Sequence, residues 1–241
     1  MTNLDTVTRS TSVAEWVERQ EQNRARFEES IGRGLAYQPQ PTDVIISPHA
    51  KCGTTWLQQI VHGLKTRGDI DFDDISRVVP WLEWAYEQGL DIHAPQKGAF
   101  RAFKSHLSWH DIPKGGRYLI SLRDPKDALV SFHHFFDNWQ FEAGSVSIVE
   151  FAREFYMADL PLGRYWDHLA SWWEHRHDQN VLLLCFEEMK IDLPGTVQAI
   201  ARFLDMELDD ALLEIVVRQS SLDFMLAHKD KFDDLLMREN S

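Results

Sequence analysis

Two rhythms of apolar and polar positions run through this 241-residue chain. Short, near-continuous apolar runs read as buried strands: "DVIIS" (43–47), "FRAF" (100–103), "RYLISL" (117–122) and "NVLLLCF" (180–186). Between them, apolar residues recur at helical spacing. Trp56, Leu57, Ile60, Val61 and Leu64 define one such face directly after the first run. Pro125 opens another in "RDPKDALVSFHHFFDNW", where a first-turn proline costs no hydrogen bond. Helical patterns follow at about 147–158 and 163–177, and "LPGTVQAIARFLD" comes after the last strand. Ser12 is the expected cap of one helix through "VAEWVERQEQNRARFEESIG", ended by Gly32 and Gly34, while residues 1–11 are expected to be disordered. Apolar strands alternating with helices predict an α/β fold on a central parallel sheet. No repeat, low-complexity tract or linker divides the chain, so 1–241 is read as one domain.

Composition changes this picture little, and charge changes it more. The net charge is −13, which argues against binding to nucleic acid or to an anionic membrane surface. From Glu187 to Ser241 there are 13 acidic and 6 basic residues, a net of −7. An anionic ligand therefore needs a local cluster of basic groups working against the overall field. Cys52 and Cys185 have neither disulfide-framework nor metal-ligand spacing. The first twenty residues hold no apolar targeting core, and no apolar run nears the roughly 18 residues of a membrane span. These features point to a reduced cytoplasm.

Three stretches carry candidate chemistry. In "SPHAKCGTTW" a strand feeds a helix, so free backbone N–H groups and the positive end of the helix dipole converge. Gly53 permits close approach of an anion, Thr54 and Thr55 add hydroxyls, and Lys51 adds charge. The lysine precedes the glycine, unlike the G-x-x-x-x-G-K-[ST] order of a nucleotide-triphosphate loop. Spacing alone leaves this open between a phosphate cradle and a plain connection. In "FKSHLSWH", Lys104 and His106 are two apart on a strand-like stretch and share a side. Repulsion from the ammonium would keep the imidazole neutral and able to accept a proton. In "LRDPKDALVS", Arg123 stands at a strand's carboxyl end, where open parallel sheets bind ligands, and Ser131 follows in the next helix. Asp124 and Asp127 could instead neutralise Arg123.

Taken in order, these stretches resemble the sulfotransferases that use 3′-phosphoadenosine 5′-phosphosulfate (PAPS), such as the cytosolic sulfotransferases. The family's T-Y-P-K-S-G-T-T-W is matched by "PHAKCGTTW", its K-T-H-L by "KSHL", and its R-N-P-K-D-x-x-V-S-x-x-H-F by "RDPKDALVSFHHF". Its Y-E-D-M is matched by "FEEM" (186–189) ahead of "IARFLD". The resemblance implies a three-layer fold of the P-loop-containing nucleotide-binding type. It also implies transfer of a sulfuryl group from PAPS to an acceptor hydroxyl, leaving 3′-phosphoadenosine 5′-phosphate (PAP). His106 would be the base, with Lys104 beside it, and Lys51 would meet the charge on the bridging oxygen. Cys52, Gly53, Thr54 and Thr55 would supply loop donors, Trp56 would stack on adenine, and Arg123 and Ser131 would hold the 3′-phosphate. Phe186 and, from a match to T-S-F-x-x-M, Ser220 and Leu222 would lie near the base. No metal is implied: a sulfuryl group carries one charge where a terminal phosphoryl carries two, so one lysine could serve for the metal of a kinase.

Three departures temper the resemblance. Phe186 stands for tyrosine, Leu222 for an aromatic residue, and the family's basic stretch near R-K-G-x-x-G-D-W-K has no counterpart, Arg238 being a lone basic residue. Its absence would weaken PAPS binding. Two rivals follow, a P-loop kinase of small molecules and a catalytically silent PAPS-binding protein of the same fold. The first lacks the G-K-[ST] order; the second draws on the missing stretch and on Leu222. The aromatics of "VVPWLEWAYEQ" (78–88) and "FHHFFDNWQF" (132–141) favour an apolar alcohol or phenol acceptor over a sugar. Oligomeric state is not readable.

Overall fold

In the computed structural model, which describes residues 9–158, 164–233 and 236, the elements follow the predicted alternation. They are α1 (Val13–Gln22), α2 (Arg24–Leu35), β1 (Val44–Ile46), α3 (Thr54–Thr66), α4 (Ile75–Val78), β2 (Ala102–Lys104) and β3 (Arg117–Leu122). Next come α5 (Pro125–Trp139), α6 (Ile148–Phe151), α7 (Tyr165–Trp173), β4 (Val181–Cys185), α8 (Phe186–Ile191), α9 (Leu193–Phe203), α10 (Asp210–Gln219) and α11 (Leu222–Ala227). The strands form one parallel sheet in the order β2-β1-β3-β4. Val44 pairs with both Ala102 and Arg117, which brings the amino ends of β1, β2 and β3 level, while β3 runs three residues further at its carboxyl end.

Because side chains alternate across a strand, each strand feeds two cores. Val44, Ile46 and Leu119 pack against Leu57, Ile60 and Leu64 of α3, Ile200 of α9 and Val216 of α10. Ile45, Tyr118 and Ile120 face the other way, onto Leu82 and Trp172 of α7. Helices on both faces make the three layers, and strands buried on both faces explain the unbroken apolar runs. A third, aromatic cluster joins Trp16 of α1 to Phe132 and Phe136 of α5 and to Phe151.

Several local expectations are corrected. The first helix is two: Ser12 caps α1, accepting the Glu15 N–H at 3.2 Å, but Asn23 breaks the run. The Asn23 amide reaches back to the Arg19 carbonyl (3.1 Å), the local competition with helical bonding that asparagine favours. Gly32 and Gly34 do not end α2, which runs to Leu35; Gly34 lies so close to the Leu82 carbonyl that a side chain there would clash. Ser10, within the segment expected to be disordered, is fully buried; its N–H donates to Gln140 and its carbonyl accepts from Glu142 (both 2.9 Å). Residues 1–8 lie outside the described residues, as does Arg238. The strand expected at 100–103 is 102–104, set by its register on β1. The pattern at 147–158 becomes α6 followed by a π-helical turn, Ala152–Tyr156.

Candidate active site

The loop between β1 and α3 gathers at the carboxyl end of the sheet. Lys51 adopts φ 64° and Gly53 φ 95°, the left-handed region that favours glycine. A Cβ on Gly53 would also stand 2.8 Å from Phe186, so the loop closes over that ring only with glycine. Gly53 is the N-cap of α3 and brings no side-chain cap. The first-turn N–H groups therefore have no partner within the helix and point out of its positive end. The Thr54 hydroxyl oxygen is buried without a hydrogen-bond partner. Cys52, expected to present a loop donor, donates its N–H to the His49 carbonyl instead (3.1 Å), and its own carbonyl accepts from the Ser121 hydroxyl. Burial pushes the Cys52 thiol up to about 12, which rules out a thiolate near neutrality.

β2 ends at Lys104, and the chain continues directly to His106. Both meet Trp81: the Lys104 ammonium lies 4.2 Å from the ring centroid, and the His106 ring meets it edge-on at 5.0 Å. They share one side, as the spacing predicts. His106 Nδ1 is 2.7 Å from the Pro48 carbonyl oxygen. A carbonyl only accepts, so Nδ1 carries the proton and Nε2 keeps its lone pair. Packing around the ring, and second the Lys104 ammonium, hold this imidazole well below its ordinary value. Repulsion from Lys104, the sole cause expected from sequence, is therefore the smaller one. The backbone of this stretch is held by Glu83, which lies in the aromatic run 78–88 but has no role assigned to it there. Its carboxylate accepts the His106 N–H (2.9 Å) and the Ser105 hydroxyl (3.1 Å). Burial raises the Glu83 carboxyl.

β3 delivers Arg123 to the same end. Its Nη1 donates to the Lys51 carbonyl at 2.8 Å, and its Cζ sits 4.5 Å from the centre of the Phe186 ring. Its Nε is buried without a partner. The Asp124 carboxylate, which could have neutralised it, caps α5 by accepting the Lys126 N–H (2.8 Å). Ser131, two turns into α5, lines a cavity of about 260 Å³ together with Lys51, Phe135 and Trp139. The Lys51 ammonium lies 4.2 Å from the Phe135 centroid. Asp233, from the segment after α11, lines the same cavity, and no motif signalled it.

Trp56 is held by Nε1–H donation to the Ser220 carbonyl (2.7 Å) and meets Phe186 edge-on at 5.6 Å. Ser220 is fully buried, and its hydroxyl oxygen has no partner. Leu222 stands apart from this group in exposure, with 71% of its surface open at the start of α11. Thr55 is half-buried in the first turn of α3. The structure thus gathers Lys51, Thr54, His106, Lys104 and Arg123 at three adjacent strand ends. The basic side chains and open N–H groups are all hydrogen-bond donors suited to an anion. Among the described residues no group of three or more His, Cys, Asp or Glu could hold a metal, and no helix is long and apolar enough to cross a membrane.

Comparison with known proteins gives a family match. Residues 41–239 match the family model of the sulfotransferase domain. Sulfotransferase 4A1 of Mus musculus is 34% identical over 185 residues, covering 73% of this chain and 64% of that protein. An amine sulfotransferase of Oryctolagus cuniculus is 31% identical over 193 residues, covering 76% and 62%. The chain thus spans less than two thirds of the length of either relative. Among solved structures, mouse sulfotransferase SULT7A1 complexed with PAP aligns at 27% identity with a TM-score of 0.64, over 82% of this chain and 70% of that one. Retinol dehydratase aligns at 21% identity with a TM-score of 0.69 over 85% and 71%, a likeness of fold.

Proposed function

The chain belongs to the sulfotransferase domain family, and from that premise we propose that it transfers a sulfuryl group from PAPS to a small acceptor. One observation carries the reading: the basic groups stand at adjacent strand ends, and Thr54 Oγ1 and Arg123 Nε there, with Ser220 Oγ beside Trp56, lack any protein partner. Buried donors are rarely left unmade, so a ligand with several anionic oxygens fits them. PAP, the desulfated donor, is bound in the SULT7A1 structure, which supports the same choice here.

Bound PAPS would supply an activated sulfuryl group and a phosphate leaving group. The chain's own residues do the rest. Neutral His106 accepts the acceptor proton at Nε2, because Pro48 fixes the proton on Nδ1. Lys51, Thr54 and the first-turn N–H groups of α3 stabilise the negative charge that builds on the leaving oxygen. Arg123 and Ser131 hold the 3′-phosphate, Trp56 and Ser220 the adenine side, and Lys104 adds charge beside the base. No residue named here needs to bind a metal.

The finer reading is an apolar alcohol or phenol as acceptor, supported by Trp81 beside His106 and by Phe135 and Trp139 beside Lys51. An amine is the competing acceptor, since one relative is an amine sulfotransferase. A single domain over 1–241 and a cytoplasmic location complete the proposal. The silent-binder alternative draws on Asp233, whose carboxylate shares the cavity of Lys51 and Ser131. A PAPS-dependent screen of alcohols, phenols and amines decides between them, beside thermal shifts with PAP and ATP. Stabilisation by PAP over ATP together with turnover supports the enzyme; PAP binding without turnover on any acceptor supports the silent binder.

A further inference from the structure

Arg123 is oriented by unusually little. Its Nη1 donates to the Lys51 carbonyl and its Cζ sits over the Phe186 ring, 4.5 Å from the centroid. No ion pair of Arg123 forms among the described residues. The adjacent carboxylate, Glu187, feels the Arg123 charge, but its oxygens accept the Asp124 N–H (3.0 Å) and the Cys185 thiol (3.2 Å) and not the guanidinium. The ring itself is pinned from two further sides, edge-on to Trp56 and under the bare Cα of Gly53. A side chain fixed at once by the loop, by α3 and by the first turn of α8 can hold a guanidinium in place. A carboxylate in that position would take two N–H donors and cancel the charge. A ring accepts none of the guanidinium N–H donors in a carboxylate's way and leaves the charge to an incoming anion.

We infer that Phe186 is a positioning residue that acts through Arg123, seating the guanidinium so that it recognises the donor's 3′-phosphate. This rests on the donor reading above. The phenyl ring, a departure from the tyrosine of the family pattern, then has a task that needs no hydroxyl. It sets how much the 3′-phosphate adds to affinity, over and above whatever the ring gives to the adenine.

The test compares PAP with adenosine 5′-phosphate (AMP), which lacks only the 3′-phosphate, by calorimetry on the full chain. The quantity read is the ratio of the two dissociation constants, because effects on adenine or on the fold cancel in it. Wild type should prefer PAP. Phe186→Leu should lower that preference by roughly two- to thirty-fold, the range of a cation–π contact. Phe186→Tyr, which keeps the ring, should retain it. In an Arg123→Met background, Phe186→Leu should leave the ratio unchanged, since the residue it acts through is gone. Should the leucine chain not fold, Phe186→Met is read the same way. A wild-type ratio near one would sink the donor reading and this role with it. A normal wild-type ratio with equal weakening of PAP and AMP in Phe186→Leu would overturn this role alone.

Discussion

At the amino-terminal ends of the strands, Arg101 makes two hydrogen bonds to the buried Asp43 carboxylate (3.1 and 2.9 Å), and Arg117 reaches Asp205 at 2.6 Å. At the carboxyl-terminal ends, Lys51, Lys104 and Arg123 lie against the rings of Phe135, Trp81 and Phe186, and Arg123 forms no ion pair among the described residues. Both ends are basic, and a cavity opens at each. The larger one, about 510 Å³, lies at the amino end beside Arg117 and Asp205. Size therefore does not mark the site; the carboxylates that hold Arg101 and Arg117, against the ring that seats Arg123, do. A carboxylate partner neutralises a cation and ties it to the fold. An aromatic face holds a cation while leaving its charge and donors available.

Changes at the carboxyl end should remove chemistry and leave the fold, and the largest effect belongs to the base. His106→Ala should lower sulfuryl transfer by about a hundred- to ten-thousand-fold, with PAP affinity within a few-fold by calorimetry. Retained turnover would sink the base assignment. Lys51→Met should cost roughly a hundred- to a thousand-fold in rate and also weaken PAP, since the lysine serves both states. At the amino end the sign of the comparison reverses. Arg101→Met leaves the Asp43 carboxylate, only 2% exposed, with the neutral Tyr37 hydroxyl and Gln40 N–H but no counter-charge, and should cost on the order of 3 kcal/mol in denaturant unfolding with PAP affinity unaltered. Weakened PAP binding there would break the division between the two ends.

Proton linkage sharpens the same point. Burial lowers His62 to about 4 and His168 to about 3, and His106 is also held well below 6.5. An unfolded chain binds protons at these residues below about pH 6.5 that the folded chain does not. Stability should therefore fall as pH drops from about 6.5 towards 4, and His168→Gln should flatten that slope in thermal unfolding. The acid limb of the transfer rate should lie below pH 6.5, because His106 remains an unprotonated base there. A limb at 6.5 would contradict the packing around its ring. The smallest effect expected is that of EDTA, which should leave the rate unchanged if Lys51 supplies the charge at the leaving oxygen. A strict magnesium requirement would count against that role.

Much of this was legible in the sequence because it is local. The runs at 43–47 and 117–122 are strands since both faces are buried, and Pro125 starts α5 as its missing N–H allows. The order of Lys51, Gly53 and Thr54 left an anion loop and a plain connection equally open, and only the resemblance of four motifs in order favoured the loop. What stayed hidden depends on partners distant in sequence. Glu83 is one acidic residue among 38 until the His106 N–H is seen on it. Ser10 looks like a polar terminus until Gln140 and Glu142 pair with it. The cation–ring pairs join residues 63 to 84 positions apart for Arg123–Phe186 and Lys51–Phe135, and no spacing rule reaches that far. α10 is a different case: Asp209 and the run Leu212, Leu213, Val216 and Val217 carried a readable helix signal that went unread.

One measurement sets the two ends of the sheet against each other most directly: PAP affinity of Arg123→Met beside Arg117→Met, with unfolding followed in both. Loss of a charge-assisted hydrogen bond predicts roughly ten- to a hundred-fold weaker PAP binding for Arg123→Met, with stability little changed. Arg117→Met should bind PAP as wild type does. Equal weakening in both, or weakening in Arg117→Met alone, would contradict the assignment of Arg123 and the carboxyl end of the sheet as the anion site.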